Sequence, residues 1–221
     1  VRVLGLTGSI AMGKSTAASM LRRMGVPVHD ADRAVHRAFA PGGSALTAVA
    51  AAFPEVISEA GVDRARLGAR VFALPADLAR LETIVHPIVA EARRRFLATQ
   101  ALARRRVVAL DVPLLLETGG DARVDAVVLV TAPAFLQAQR ALARPGMTTA
   151  KLAGIRTRQM PDRLKRRRSQ HIVETGLGLA YTWRKLARAL RRARRRRRLP
   201  DSLWVTHARD RPRYRNDRPQ P

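Results

Sequence analysis

The segment Gly8-Ser9-Ile10-Ala11-Met12-Gly13-Lys14-Ser15-Thr16 carries the spacing G-x-x-x-x-G-K-S, that of a phosphate-cradling P-loop. Glycines at its two ends let backbone N–H groups curl around a polyphosphate. Lys14 and the N-terminus of a following helix add positive potential. The Ser15 hydroxyl stands where such a loop engages the Mg²⁺ that bridges nucleotide phosphates. ATP and Mg²⁺ are therefore the expected ligands of this end of the chain.

Carboxylates that could work beside those phosphates are few. Asp30 and Asp32 close a short apolar run at 26–30, and in an open α/β sheet ligands bind at the carboxyl ends of strands. Alternation along a strand points two residues spaced by one the same way, so both carboxylates are expected to face the phosphates. Phosphoryl transfer to a hydroxyl needs one carboxylate to orient the acceptor and take its proton. Asp32 is assigned that role and Asp30 a structural or metal-shell one; the competing reading has either residue capping a helix that starts near Arg33. Asp111 ends the apolar run 106–111 and resembles a Walker-B carboxylate on the metal, against the alternative that it bonds local backbone N–H groups. His86 precedes Pro87, which is expected to start a new helical turn. No histidine spacing suits a metal. A basic stretch at 137–168 offers Arg140, Arg144, Lys151, Arg156, Arg158, Arg163, Lys165 and Arg166. One or two of these should reach ATP to neutralise transition-state charge, and the others form a solvated face.

The elements that must hold these residues follow from the apolar pattern. A first strand at 1–6 and a helix at 15–24 flank the glycine loop. The runs 106–111 and 124–131, the latter interrupted by Asp125, read as buried parallel strands, and 171–173 as a last one. Between 33 and 97 the chain reads as helices, with Pro41-Gly42-Gly43 as a break, Ser44 as the cap of a helix through Phe53, and Asp63 and Asp77 at helix starts. Strands alternating with helices imply an α/β fold: a three-layer sandwich with a parallel sheet. The expected organisation is one kinase domain over 1–190, with a helical acceptor-binding insert at about 33–91 and a lid insert at about 137–168. A basic tail at 191–221, punctuated by Pro200, Pro212, Pro219 and Pro221, is expected to be largely disordered.

Composition bounds the rest. The 221 residues are 47% hydrophobic, ample for one core. The chain has no cysteine, which excludes disulfides, thiolate metal sites and cysteine nucleophiles. No apolar run approaches a membrane span and no signal-peptide pattern is recognised, so a soluble cytoplasmic protein is expected, with no membrane partner. Lys and Arg number 42 against 17 Asp and Glu, a formal charge of +25. Arginine outnumbers lysine and alanine is abundant, as in GC-rich coding, so part of the charge is compositional. A nucleic-acid partner is not expected beyond nonspecific contact through the tail, where only Trp204 and Tyr214 interleave aromatics with charge.

In series, the P-loop, Asp30-Ala31-Asp32, Leu67 to Phe72, Ile84-Val85-His86-Pro87-Ile88, Asp111-Val112-Pro113-Leu114-Leu115-Leu116-Glu117, Arg144-Pro145-Gly146-Met147 and Arg158-Gln159-Met160-Pro161 resemble the dephospho-coenzyme A kinase family, in the P-loop nucleoside-monophosphate-kinase-like group. The resemblance covers about residues 1–180. It implies ATP-dependent phosphorylation of the ribose 3′-hydroxyl of dephospho-coenzyme A, the last step of coenzyme A biosynthesis. It further implies Ala11, Met12, Gly13, Lys14, Ser15 and Thr16 as the phosphate-binding segment, Lys14 and Asp32 as catalytic, and Arg140 or Arg144 as the lid arginine near ATP. His86 and Pro113 fall on the acceptor side, and Ser15 and Asp111 on the metal. The chain departs from the family pattern at Ser169-Gln170-His171 and Glu174, and the segment after about Leu190 lies outside it. Alternatives are another small-molecule P-loop kinase, which would not share the His86-Pro87 and Pro113-Leu114-Leu115 arrangement, or a nucleic-acid-binding P-loop ATPase.

Overall fold

A computed structural model describes residues 1–195. The chain divides into two units, one made of Val1–His29 with the chain from Arg104 onward, the other of Asp30–Ala103. The second thus runs further at both ends than the insert expected at 33–91.

The first unit is built on a five-stranded sheet of β1 (Arg2–Thr7), β2 (Val28–Asp30), β5 (Val107–Asp111), β6 (Ala126–Thr131) and β7 (His171–Glu174), in the order β2-β5-β1-β6-β7. β1 runs parallel to β5 and β6, and β6 parallel to β7, while the Ala109 N–H donates to the Pro27 carbonyl at 2.9 Å beside β2. All residues of β5 and β6 are buried, as expected of parallel strands covered on both faces. Asp125, the polar interruption before β6, accepts the Val3 N–H at 2.7 Å through Oδ2 and so serves the start of the central strand. Gln170, at the departure from the family pattern, accepts the Val127 N–H at 2.6 Å.

Helices α1 (Lys14–Arg23) and α9 (Leu179–Arg195) close one side of this core, packing Ala17, Leu21, Leu186 and Leu190 with Leu4, Leu6, Ala109 and Val128. Fully burying each leucine contributes about 1.5–3 kcal/mol. The tail expected from Arg191 begins inside α9: Arg191 to Arg195 are its last residues. Ala193 is buried because it continues the face of Leu186 and Leu190 at helical spacing. The rest of that segment lies outside the described residues. Helices α6 (Ala134–Leu142), α7 (Thr149–Arg158) and α8 (Asp162–Arg167) occupy the expected basic insert.

The second unit holds α2 (Ala31–Phe39), α3 (Leu46–Ala52), α4 (Arg64–Ala73) and α5 (Pro75–Leu102), packed around Phe39, Val49, Phe53, Val56 and Leu67. Asp63 caps α4 by accepting the Ala65 and Arg66 N–H groups at 2.9 and 3.1 Å. Ser44 does not cap α3, contrary to expectation: Ala45 stands at its N-cap with no side-chain hydrogen bond. The helix is instead led in by a turn in which Gly43 N–H donates to the Ala40 carbonyl and Ala45 N–H to the Ala38 carbonyl. A short hairpin, β3 (Ile57–Ser58) with β4 (Gly61–Val62), departs from the all-helical expectation for this region; two-residue strands are too short to show a period. Pro87, read as the start of a new turn within a helical region, lies inside the 28-residue α5, which continues on both sides of it. Its ring removes one donor from the ladder at an exposed position, where water can serve the freed carbonyl.

Candidate active site

β1 delivers the chain into the loop Gly8–Gly13 and α1 receives it. Two backbone positions of this loop are left-handed, Ala11 at φ 58° and Gly13 at φ 89°, and the turn is tied by Met12 N–H to the Ser9 carbonyl at 3.2 Å. A Cβ on Gly8 would lie 2.6 Å from the Val130 carbonyl oxygen, and one on Gly13 would lie 3.0 Å from Thr175 Oγ1. Both glycines are therefore set by close approach, and Gly13 also by its φ. With Gly13 as N-cap and no side-chain cap on α1, the first N–H groups of the helix are left for an anion.

Lys14 Nζ forms an ion pair with Asp111 Oδ1. Asp111 is 3% exposed, at the end of β5 beside β1, so the strand order itself brings the lysine of the glycine loop to the carboxylate that ends β5. Ser15 and Thr16 are exposed in the first turn of α1. Pro113 lies just beyond β5 and its carbonyl accepts the buried Thr7 hydroxyl at 3.0 Å, which fixes the strand end to the 112–118 turn.

Two side-chain amides, from α6 and from the end of α7, hold the loop. Gln137, buried on α6, donates from Nε2 to the Ile10 carbonyl at 2.9 Å, and Gln159 Oε1 accepts the Ile10 N–H at 3.2 Å. Gln137 Oε1 in turn accepts from Arg156 Nε and Nη2 at 3.1 and 2.7 Å. Ala11 packs with Ala141 and Leu152 beneath. Arg140 donates to the Thr175 hydroxyl and carbonyl, each at 3.0 Å, and that hydroxyl donates to the Met12 carbonyl at 2.8 Å. Arg144 is exposed just after α6. Farther along, Lys165, fully buried, pairs with Glu117 at 2.8 Å, and the same Glu117 oxygen accepts the Met160 N–H at 3.0 Å.

Asp30, Asp32 and His86 belong to the second unit. The premise that Asp30 and Asp32 lie on one strand does not hold. β2 ends at Asp30, which caps α2 by accepting the Arg33 N–H at 3.0 Å, and Asp32 stands exposed in the first helical turn. A carboxylate there is favoured by the helix dipole. His86 is exposed on α5. Gln137, Gln159, Thr175 and Glu117 have no individual role in the sequence reading, and Lys165, expected at ATP or on a solvated face, is instead fully buried against Glu117. Glu117 and Gln159 do lie within the family-like segments, and that is the available signal.

Comparison with known proteins agrees with this geometry. The family model for dephospho-CoA kinase matches residues 2–179. The chain is 61% identical over 166 residues to a dephospho-CoA kinase of Paramagnetospirillum magneticum, covering 75% of this chain and 78% of that one. It is 56% identical over 194 residues to one of Rhodospirillum rubrum, covering 87% and 92%. Among solved structures, TT1252 from Thermus thermophilus superposes with a TM-score of 0.74 at 33% identity, covering 86% of this chain and 96% of that one. The dephospho-CoA kinase from Campylobacter jejuni shares the fold, with a TM-score of 0.59 at 20% identity over 87% and 97%. With a family model spanning most of its length and relatives well above half identical, the chain belongs to the dephospho-CoA kinase family.

Proposed function

We propose that this chain carries out its family's reaction, ATP-dependent phosphorylation of dephospho-CoA to CoA, at the ribose 3′-hydroxyl, with the following division of labour. The observation that carries the reading is the Lys14–Asp111 pair set under a loop with two left-handed positions at the start of α1. The loop from Gly8 through Ala11, Met12 and Gly13 to Thr16 holds the ATP phosphates by backbone N–H groups. Lys14 turns from Asp111 toward the transferred phosphoryl group, whose oxygens carry the transition-state charge.

Ser15 and Asp111 are hard oxygen donors of the kind Mg²⁺ takes alongside phosphate and water. Bound there, the ion would neutralise charge on the phosphate oxygens. Asp32 orients the 3′-hydroxyl and accepts its proton, and its exposure leaves it open to a substrate. His86 and Pro113 contact the acceptor. Arg140, already aimed at the loop through Thr175, is the lid arginine best placed to reach ATP, ahead of Arg144. The second unit serves as the acceptor-binding insert and α6 to α8 as the lid. A cytoplasmic location fits this reaction; no helix among the described residues is long and apolar enough to cross a membrane.

The test is ADP release from Mg-ATP with dephospho-CoA, beside adenosine, shikimate and no acceptor. Release that requires dephospho-CoA supports the reading. Release with shikimate or adenosine instead, or none with any acceptor while ATP still binds, overturns it.

A further inference from the structure

The kinase chemistry leaves one large feature of the molecule without a use. On α9, Arg184, Arg188, Arg191 and Arg195 recur at i, i+4, i+7 and i+11, the spacing that places residues on a single helical stripe. All four are exposed. Arg192 flanks the stripe, and Arg188, Arg191, Arg192 and Arg195 surround a shallow depression, with a second one beside it lined by Gln170, His171, Lys185 and Arg192 among others. The helix contains no acidic residue, and among the described residues none of the four stripe arginines makes an ion pair with a carboxylate. From Arg184 to Arg195 the stripe spans about 16 Å along the helix axis, the length of about five phosphates of one strand at about 3.4 Å each.

We propose that this stripe binds the phosphodiester backbone of nucleic acid, without base specificity. Guanidinium forks at regular spacing suit a chain of phosphates, which they can meet bidentately. An anionic bilayer fits the helix less well. Interfacial helices insert an apolar face, and that of α9, Leu186, Ala189, Leu190 and Ala193, is already consumed by the core. Of the exposed apolar residues nearby, Leu177, Leu179 and Trp183 lie at or near the other end of the helix from Arg195, and Ile172 stands alone at the second depression. The surface starts on a folded element, before the segment to which the sequence alone confines any such contact.

The experiment uses the full chain and a fluorescein-labelled single-stranded RNA of mixed sequence, read by anisotropy across a KCl series from about 50 to 200 mM. Anionic phosphatidylglycerol vesicles form a parallel arm. The proposal expects binding whose log K falls linearly with log salt. Replacing all four arginines by glutamine should weaken it at least about tenfold at the low-salt end and flatten the slope by about 2 to 3, near 0.7 for each phosphate that is no longer neutralised. Kinase turnover should stay unchanged. The Arg→Lys version at the same positions should keep the slope, and R64Q/R94Q/R104Q/R105Q, with the same change in charge, should lose much less affinity. Absence of RNA binding, equal losses in the two glutamine variants, or stripe-dependent binding to vesicles but not RNA would overturn the proposal.

Discussion

Lys14 and Asp111, 97 residues apart in sequence, meet as an ion pair because β1 and β5 lie side by side. The lysine side chain keeps 17% of its exposure while the carboxylate keeps 4%, so the two are not equivalent. Removing the lysine takes the cation away from a buried carboxylate. Lys14→Met should weaken ATP binding and turnover together, and also cost about 3 kcal/mol of stability, the lower end for breaking a buried pair. Lys14→Met/Asp111→Asn should recover most of that stability while remaining inactive. Thermal unfolding beside ADP release separates the two effects; a double variant no more stable than the single one would contradict the pairing.

Asp32→Asn preserves shape but removes the proposed proton acceptor. Turnover should fall about a hundredfold or more while ATP affinity, measured by calorimetry without acceptor, stays within about twofold, a difference too small to reflect the removal of a charged partner. The exposure of Asp32 predicts little change in melting temperature. Unchanged turnover would remove Asp32 from the mechanism.

Gln137 holds the Ile10 carbonyl and is itself held by Arg156. Gln137→Leu fills similar space and leaves the Ile10 carbonyl without this donor, while the exposed Arg156 keeps the Ala134 carbonyl, at a stability cost of about 1–3 kcal/mol. Because Ile10 lies in the phosphate loop, the variant should raise KM for ATP more than KM for dephospho-CoA. Equal changes in the two constants would assign Gln137 to general stability alone.

Lys165 has no exposed surface, and Glu117 is shared between it and the Met160 N–H. Glu117→Gln keeps an acceptor for the amide but unpairs a buried ammonium, and should destabilise by about 3–5 kcal/mol. Glu117→Leu/Lys165→Met should be closer to wild type than Glu117→Gln. Denaturant unfolding of the three proteins reads the difference directly.

What is legible in the sequence, and what is not, divides by range. The glycine loop, the buried strands around Asp111 and Val128 and the Asp63 cap are local patterns, each complete within about ten residues. Asp30 and Asp32 mislead because a strand and a helix abut there with no linker, and the period of two gives way to a helical turn between them. Gln137, Gln159 and Thr175 escape because amide and hydroxyl side chains have no motif of their own; their partners, Ile10 and Met12, lie well over a hundred residues away. The hairpin at Ile57–Val62 is too short to register, and Ser44 yields its expected role to the turn around Gly43.

The strand order has a consequence for how the chain is made. β1 leaves the ribosome well before both of its sheet neighbours, β5 and β6, which start more than a hundred residues later. At about 5–20 residues per second, β1 waits roughly 5 to 20 s for a partner. The nascent glycine loop therefore has no lysine–carboxylate pair and no frame until Asp111 has left the ribosome. ATP could not stabilise early intermediates during that interval, and an apolar strand would stand exposed to chaperones.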